Sequence, residues 1–117
     1  IVQSVIDSGQ AFNVIYAEND DMAKGAVAAL DKANISHGVG KDVIVMGFDC
    51  NKWALEELLN QNWNYDGQCN PYQASYIEDV IKKLESGEKI DEKTIIMDEK
   101  GFDATTITQD DVDQFGI

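Results

Sequence analysis

Val43-Ile44-Val45-Met46-Gly47-Phe48-Asp49 is a continuous apolar, β-branched run that stops at a carboxylate. Runs of this kind belong to strands buried on both faces of a parallel sheet. Two similar arrests flank it. Upstream, Asn13 to Ala17 is a short apolar strand that gives way at Glu18-Asn19-Asp20-Asp21. Downstream, Trp63 to Cys69 is a weaker strand that runs into Asn70-Pro71. Open α/β sheets bind ligands outside the carboxyl ends of their strands. Asn19, Asp49 and the Gln68/Cys69 pair are therefore expected on one rim.

Helical patterns fill the gaps between these runs. Residues 1–9 read as the end of a helix with Val2, Val5 and Ile6 at helical spacing and Gly9 as its stop. Asp20 or Asp21 is expected to cap a helix to about Asn34, with Met22, Ala23, Ala26, Val27 and Leu30 as its apolar stripe. A further helix covers about Trp53 to Asn60. Pro71 is placed in the first turn of the next, which carries Tyr72, Tyr76, Ile77, Val80, Ile81 and Leu84 and ends at Ser86-Gly87. Thr94 to Met97 reads as a fourth strand, and the tail from Phe102 to Ile117 closes with a helical turn. Alternating strands and helices predict an α/β fold, a three-layer αβα arrangement around a mostly parallel sheet.

The chain has 117 residues, room for a modest core, with 22 acidic residues against nine lysines and no arginine. A net charge of −13 argues against a nucleic-acid partner, which needs clustered cations, and against an anionic membrane surface. No apolar run approaches the roughly 20 residues of a membrane helix. Cys50, Cys69 and His37 are too few and too dispersed for a zinc site, so neither metal nor cofactor is expected. If their strands are parallel neighbours, Cys50 and Cys69 lie near enough for a disulfide, which spacing alone leaves open.

The rim residues suit a polyol. The Asn19 amide offers two donors and an acceptor for vicinal hydroxyls, against the plainer role of a helix cap. Asp49 can accept from two hydroxyls at once, against a capping role for the helix near Trp53. Successive strand residues point to opposite faces, so one of Gln68 and Cys69 is expected toward the ligand. Trp53, Trp63, Tyr65 and Phe48 could stack on a sugar ring, although each alone is more often core. His37 lies in a Gly-rich loop where a catalytic role is not expected, and no GxSxG, Walker or GxGxxG motif occurs. An enzyme is not indicated.

Tyr16 to Leu30 resembles the Y-A-x-N-D-x-M-A-x-G-A-x-x-A-L segment of the type I periplasmic sugar-binding proteins of ABC transporters. Val43 to Asp49 is similar to the same family's v-x-v-x-G-F-D segment, and Gln68 to Pro71 to its Q-N-P element, in the E-C-N-P form of ribose- and galactofuranose-type binders. The resemblance implies two lobes closing over a monosaccharide, with Asn19 and Asp49 bonding sugar hydroxyls. The family's third contact falls at Cys69, leaving Gln68 as a substitute. It further implies an exported protein, periplasmic or a cell-surface lipoprotein, that delivers its ligand to ABC permease subunits. On this view the chain is an incomplete C-terminal segment. Residues 1–69 belong to the C-terminal lobe, 70–92 carry a helix crossing toward the other lobe, and 93–117 return as a strand and tail. Such a segment is expected to be oligomeric, domain-swapped or paired with a missing N-terminal portion. Effector domains of the lactose-repressor family share these motifs and are the alternative. A flavodoxin-like enzyme is a third class that fold alone leaves open.

Overall fold

A computed structural model describes residues 1–91 and 93–117. Its sheet is built around the quoted run. Strand β2 (Ile44–Asp49) lies parallel to β1 (Val14–Tyr16) on one side and to β3 (Tyr65–Gln68) on the other. Strand β4 (Gly101–Asp103) joins β3 antiparallel, giving the order β1-β2-β3-β4. Helix α1 (Val2–Asp7) precedes β1, α2 (Asp20–Lys32) links β1 to β2, and α3 (Lys52–Leu59) links β2 to β3. Helix α4 (Ala74–Glu85) follows β3, and α5 (Gln109–Phe115) follows β4.

Register sorts the side chains into two faces. Ile15 pairs with Val45, Gly47 with Asp66, and Asp66 with Phe102. These residues share the face covered by Ala23, Ala26 and Leu30 of α2, Leu55 and Leu58 of α3, and Val112 of α5, all buried in one core cluster. On the opposite face Val14, Tyr16 and Ile44 remain 45%, 64% and 42% exposed. Gly47 is the point of closest approach: a Cβ there would lie 2.6 Å from Asp20 Oδ1 and 2.9 Å from the Trp63 ring. The absence of a side chain at Gly47 lets α2 and Trp63 settle directly onto β2.

Two compact units are present, Ile1–Cys69 with Lys100–Ile117, and Asn70–Glu99. The first contains the whole sheet. Its closing helix α5 is fixed by a reciprocal cap, in which the Asp111 amide donates to Thr108 Oγ1 and the Asp111 carboxylate accepts from the Thr108 amide. In the second unit, Tyr76, Ile77, Val80 and Ile81 of α4 line an apolar groove with Ile95 and Met97. Residue 92, the last of the stretch expected to cross between lobes, lies outside the described residues.

Three expectations are corrected here. The cap of α2 is Asn19, whose Oδ1 accepts from the Met22 amide at 2.8 Å, and not Asp20 or Asp21. Pro71 stands before α4 and not in its first turn, because Asn70 Oδ1 takes the Tyr72 amide in an Asx turn that delays the helix to Ala74. Thr94–Met97 forms no strand; the ladder on β3 is completed by Gly101–Asp103.

Candidate functional site

The carboxyl ends of the three parallel strands carry the expected polar groups. Asp49 and Gln68 are partners in the β2–β3 ladder, so they sit side by side. Asn19 arrives two residues after Ala17, whose amide donates to the Met46 carbonyl at 3.0 Å. One residue further, Asp20 Oδ2 accepts from the Asn51 backbone amide at 2.8 Å and from Asn51 Nδ2 at 3.1 Å. The start of α2 is thus tied to the turn after Asp49, and the two motifs meet.

Asn19, Asp49 and Gln68 each keep part of their side-chain hydrogen-bonding capacity unused among the described residues. Asn19 spends Oδ1 on its cap, while its Nδ2 makes no hydrogen bond among the described residues. Asp49 is half-buried at φ 127°, and Cys50 follows at φ 62°. Two consecutive non-glycine residues in the left-handed region mark a strained turn held by its surroundings. Asp49 is not a helix cap; Asn51 is the N-cap residue of α3. Gln68 Oε1 accepts from the Lys100 amide at 3.2 Å, and the Gln68 amide donates to the Lys100 carbonyl at 2.8 Å. Its Nε2 makes no hydrogen bond among the described residues.

Cys50 and Cys69 are both free, so the disulfide entertained above is not formed. The left-handed turn directs Cys50 inward, where its thiol lies 3.9 Å from Asp66 Oδ1, whereas Cys69 is exposed. Burial first, and then the charge of Asp66, push the Cys50 thiol pKa upward, so it is no ready nucleophile.

The aromatic candidates divide. Trp63 is core, and Trp53 meets it edge-on with centroids 5.8 Å apart while Lys24 Nζ covers its face at 4.5 Å. Tyr65 lies over Gly101, leaving no space for a side chain there. Phe48 remains at the strand end, beside Gly67 and in contact with Tyr16 at 5.0 Å between centroids. His37 is engaged structurally: its Nδ1 lies 2.8 Å from the Asn62 carbonyl oxygen and its Nε2 lies 3.0 Å from Asp31 Oδ1.

Sequence reasoning missed a buried acidic pair behind this rim. Asp20 and Asp66 are both fully buried. Burial, then the neighbouring Asp20 charge, raise Asp66 to a pKa of about 8. Burial is also the main cause that raises Asp20. The signal available was an aspartate inside a predicted strand, a position where aspartate is disfavoured.

No protein-family profile matches the chain. It is 33% identical over 92 residues to the fructose import binding protein FruE of Bifidobacterium longum, covering 79% of this chain and 27% of that protein. It is 33% identical over 61 residues to the ribose import binding protein RbsB of Bacillus subtilis, covering 52% of this chain and 18% of that protein. The crystal structure of a Mycobacterium smegmatis protein in complex with β-D-fucofuranose superposes with a TM-score of 0.74 at 27% identity. That match covers 89% of this chain and 33% of the other. The chain therefore spans about a quarter or less of the two import binding proteins.

Proposed function

Given the likeness of this chain in fold, and at 33% identity over 92 residues in sequence, to sugar import binding proteins, we propose that its strand-end rim binds a monosaccharide, as part of the solute receptor of a carbohydrate importer. The observation that carries this reading is the pairing of Asp49 with Gln68 beside the α2 cap residue Asn19. It brings a carboxyl acceptor to the same rim as two amide donors that make no hydrogen bond among the described residues, a pattern that suits adjacent hydroxyls. Cys69, exposed on the following residue, would contribute at most a weak polar contact. The relatives named for fructose and ribose import, and the fucofuranose complex, point to a five- or six-carbon sugar. Binding requires no chemistry, and no catalytic residue is assigned.

In this reading the Asn70–Glu99 unit belongs with a second lobe that supplies the opposite wall of the cleft. The protein works outside the cytoplasmic membrane and passes its sugar to ABC permease subunits. The bare sheet face around Val14, Tyr16 and Ile44 would be covered by the companion portion of a longer chain or by a second copy.

The test is a thermal-shift panel of D-ribose, D-fructose, D-galactose and L-arabinose on the full-length protein, with Asn19→Asp and Asp49→Ala beside the wild type. Asn19→Asp keeps an oxygen for the Met22 amide but removes the free donor. Each variant is expected to lose about 1–3 kcal/mol of binding energy while remaining folded. Full ligand stabilisation in both variants would refute the assignment. Sedimentation of the 117-residue chain alone would, if it showed a stable compact monomer, remove the claim of a covering partner.

A further inference from the structure

We propose that Asp20 and Asp66 share a single proton behind the rim, and that this buried acid pair is the positioning element that holds Asn19, Asp49 and Gln68 in register. The inference deepens the sugar-binding reading and rests on it only for its last step.

The geometry begins at Gly47. Asp20 Oδ1 sits against its bare α-carbon, and Asp66 is the ladder partner of Gly47 on the adjacent strand. The two carboxyls therefore meet over one spot of the sheet, one reaching down from α2 and the other up from β3. Both are fully buried. Asp20 Oδ2 is satisfied by Asn51, and Asp66 Oδ1 by the Cys50 thiol, but Asp20 Oδ1 and Asp66 Oδ2 have no donor among the described residues. Two ionised carboxylates would leave both oxygens unpaired and two like charges buried together, which is costly. One proton cures both faults: Asp66 becomes the donor, Asp20 stays ionised as acceptor, and the pair carries one negative charge. Asp20 then keeps the charged form that its two Asn51 donors favour.

Three rim elements converge on this pair. Asp20 adjoins Asn19, Asp66 lies two residues before Gln68, and the Cys50 and Asn51 groups held by the carboxyls directly follow Asp49. The strained turn at Asp49 and Cys50 is secured from behind by the same two side chains. The other titratable groups acting on the pair are Asp49 at the end of β2 and Cys50 in the turn; Phe102 from β4 and Trp63 are neutral neighbours. Among the described residues, the leading influences on either carboxyl include no cation.

The direction of the pH dependence follows. Asp66 is raised from its ordinary value to about 8, so between about pH 4 and 8 the folded chain holds a proton that the unfolded chain has released. The stabilisation is complete below about pH 4, declines as pH rises through this window, and is gone above about 8.

The deciding experiment is infrared spectroscopy of the wild-type full-length protein and of Asp66→Asn, which keeps a donor for Asp20 without a titratable proton. A protonated-carboxyl band should persist at about pH 7, vanish above about pH 9, and be missing in Asp66→Asn. The melting temperature of the unliganded wild type should fall between about pH 5 and 8, and Asp66→Asn should flatten that fall. Affinity for D-ribose or D-fructose should drop at least about tenfold from pH 6 to 9 in the wild type and less than about twofold in the variant. Absence of the band at pH 7, or an unchanged pH slope in Asp66→Asn, would overturn the shared proton. A titrating band with pH-independent sugar affinity would overturn the positioning role. Should Asp66→Asn fail to fold, the titration of the wild-type band decides. Absence of any sugar binding would overturn the sugar-binding reading and leave the infrared result to judge the pair.

Discussion

At the scale of single residues, Asp49 joins the ligand contact proposed for it to a strained backbone. Its backbone occupies φ 127°, a conformation that costs an ordinary side chain on the order of 1–3 kcal/mol. Glycine adopts it freely but loses more entropy on folding, by about 1 kcal/mol. Asp49→Gly should therefore leave the chain as stable as before, or more stable by up to about 2 kcal/mol, while lowering ligand binding by about 1–3 kcal/mol. Chemical denaturation with and without sugar separates the two effects. A strong loss of stability would mean that the carboxylate is structural. The polar identity of the rim was legible in sequence because strand runs that break at Asn19, Asp49 and Gln68 are local signals. Its division of labour was not. That Asn19 rather than Asp20 caps α2, and that Asp20 instead turns inward to Asn51, depends on a contact between residues 31 positions apart.

Whole elements were read correctly where their pattern was long. The apolar periodicity of α2 and α3 and the β-branched run of β2 each match the described element to within a few residues. The fourth strand was misplaced for a physical reason. Thr94-Ile95-Ile96-Met97 has the better β composition, but pairing is decided by which segment reaches β3, and Gly101-Phe102-Asp103 does. There Phe102 fills the core opposite Asp66, and Gly101 accommodates Tyr65. Packing between elements gives a second prediction. Gly47→Ala would thrust a methyl to 2.6 Å from Asp20 Oδ1 and 2.9 Å from Trp63, forcing α2 off β2. A loss of about 1–3 kcal/mol is expected in denaturant titration. A neutral result would show that α2 sits more loosely on the sheet than described.

For the molecule as a whole, the antiparallel closure between β3 and β4 has a consequence for how the chain can be edited. The Gln68 amide and the Lys100 carbonyl are one hydrogen bond apart, at 2.8 Å, although the entire Asn70–Glu99 unit lies between them in sequence. Topologically, that unit is an insertion at the tip of a hairpin. A two-residue Asn-Gly turn could bridge Gln68 to Lys100 directly, since such turns suit the twist of antiparallel strands. The shortened chain should keep the core centred on Leu30, Leu55, Leu58 and Val112, and shorter loops close at lower entropic cost. Circular dichroism and melting of the excised variant would check this, with a transition at least as high as that of the parent chain expected. Loss of cooperative melting would mean that the insertion props up its host. If the hairpin forms, the sheet-bearing unit is a portable cassette, able to accept foreign segments at one seam without disturbing the strand ends.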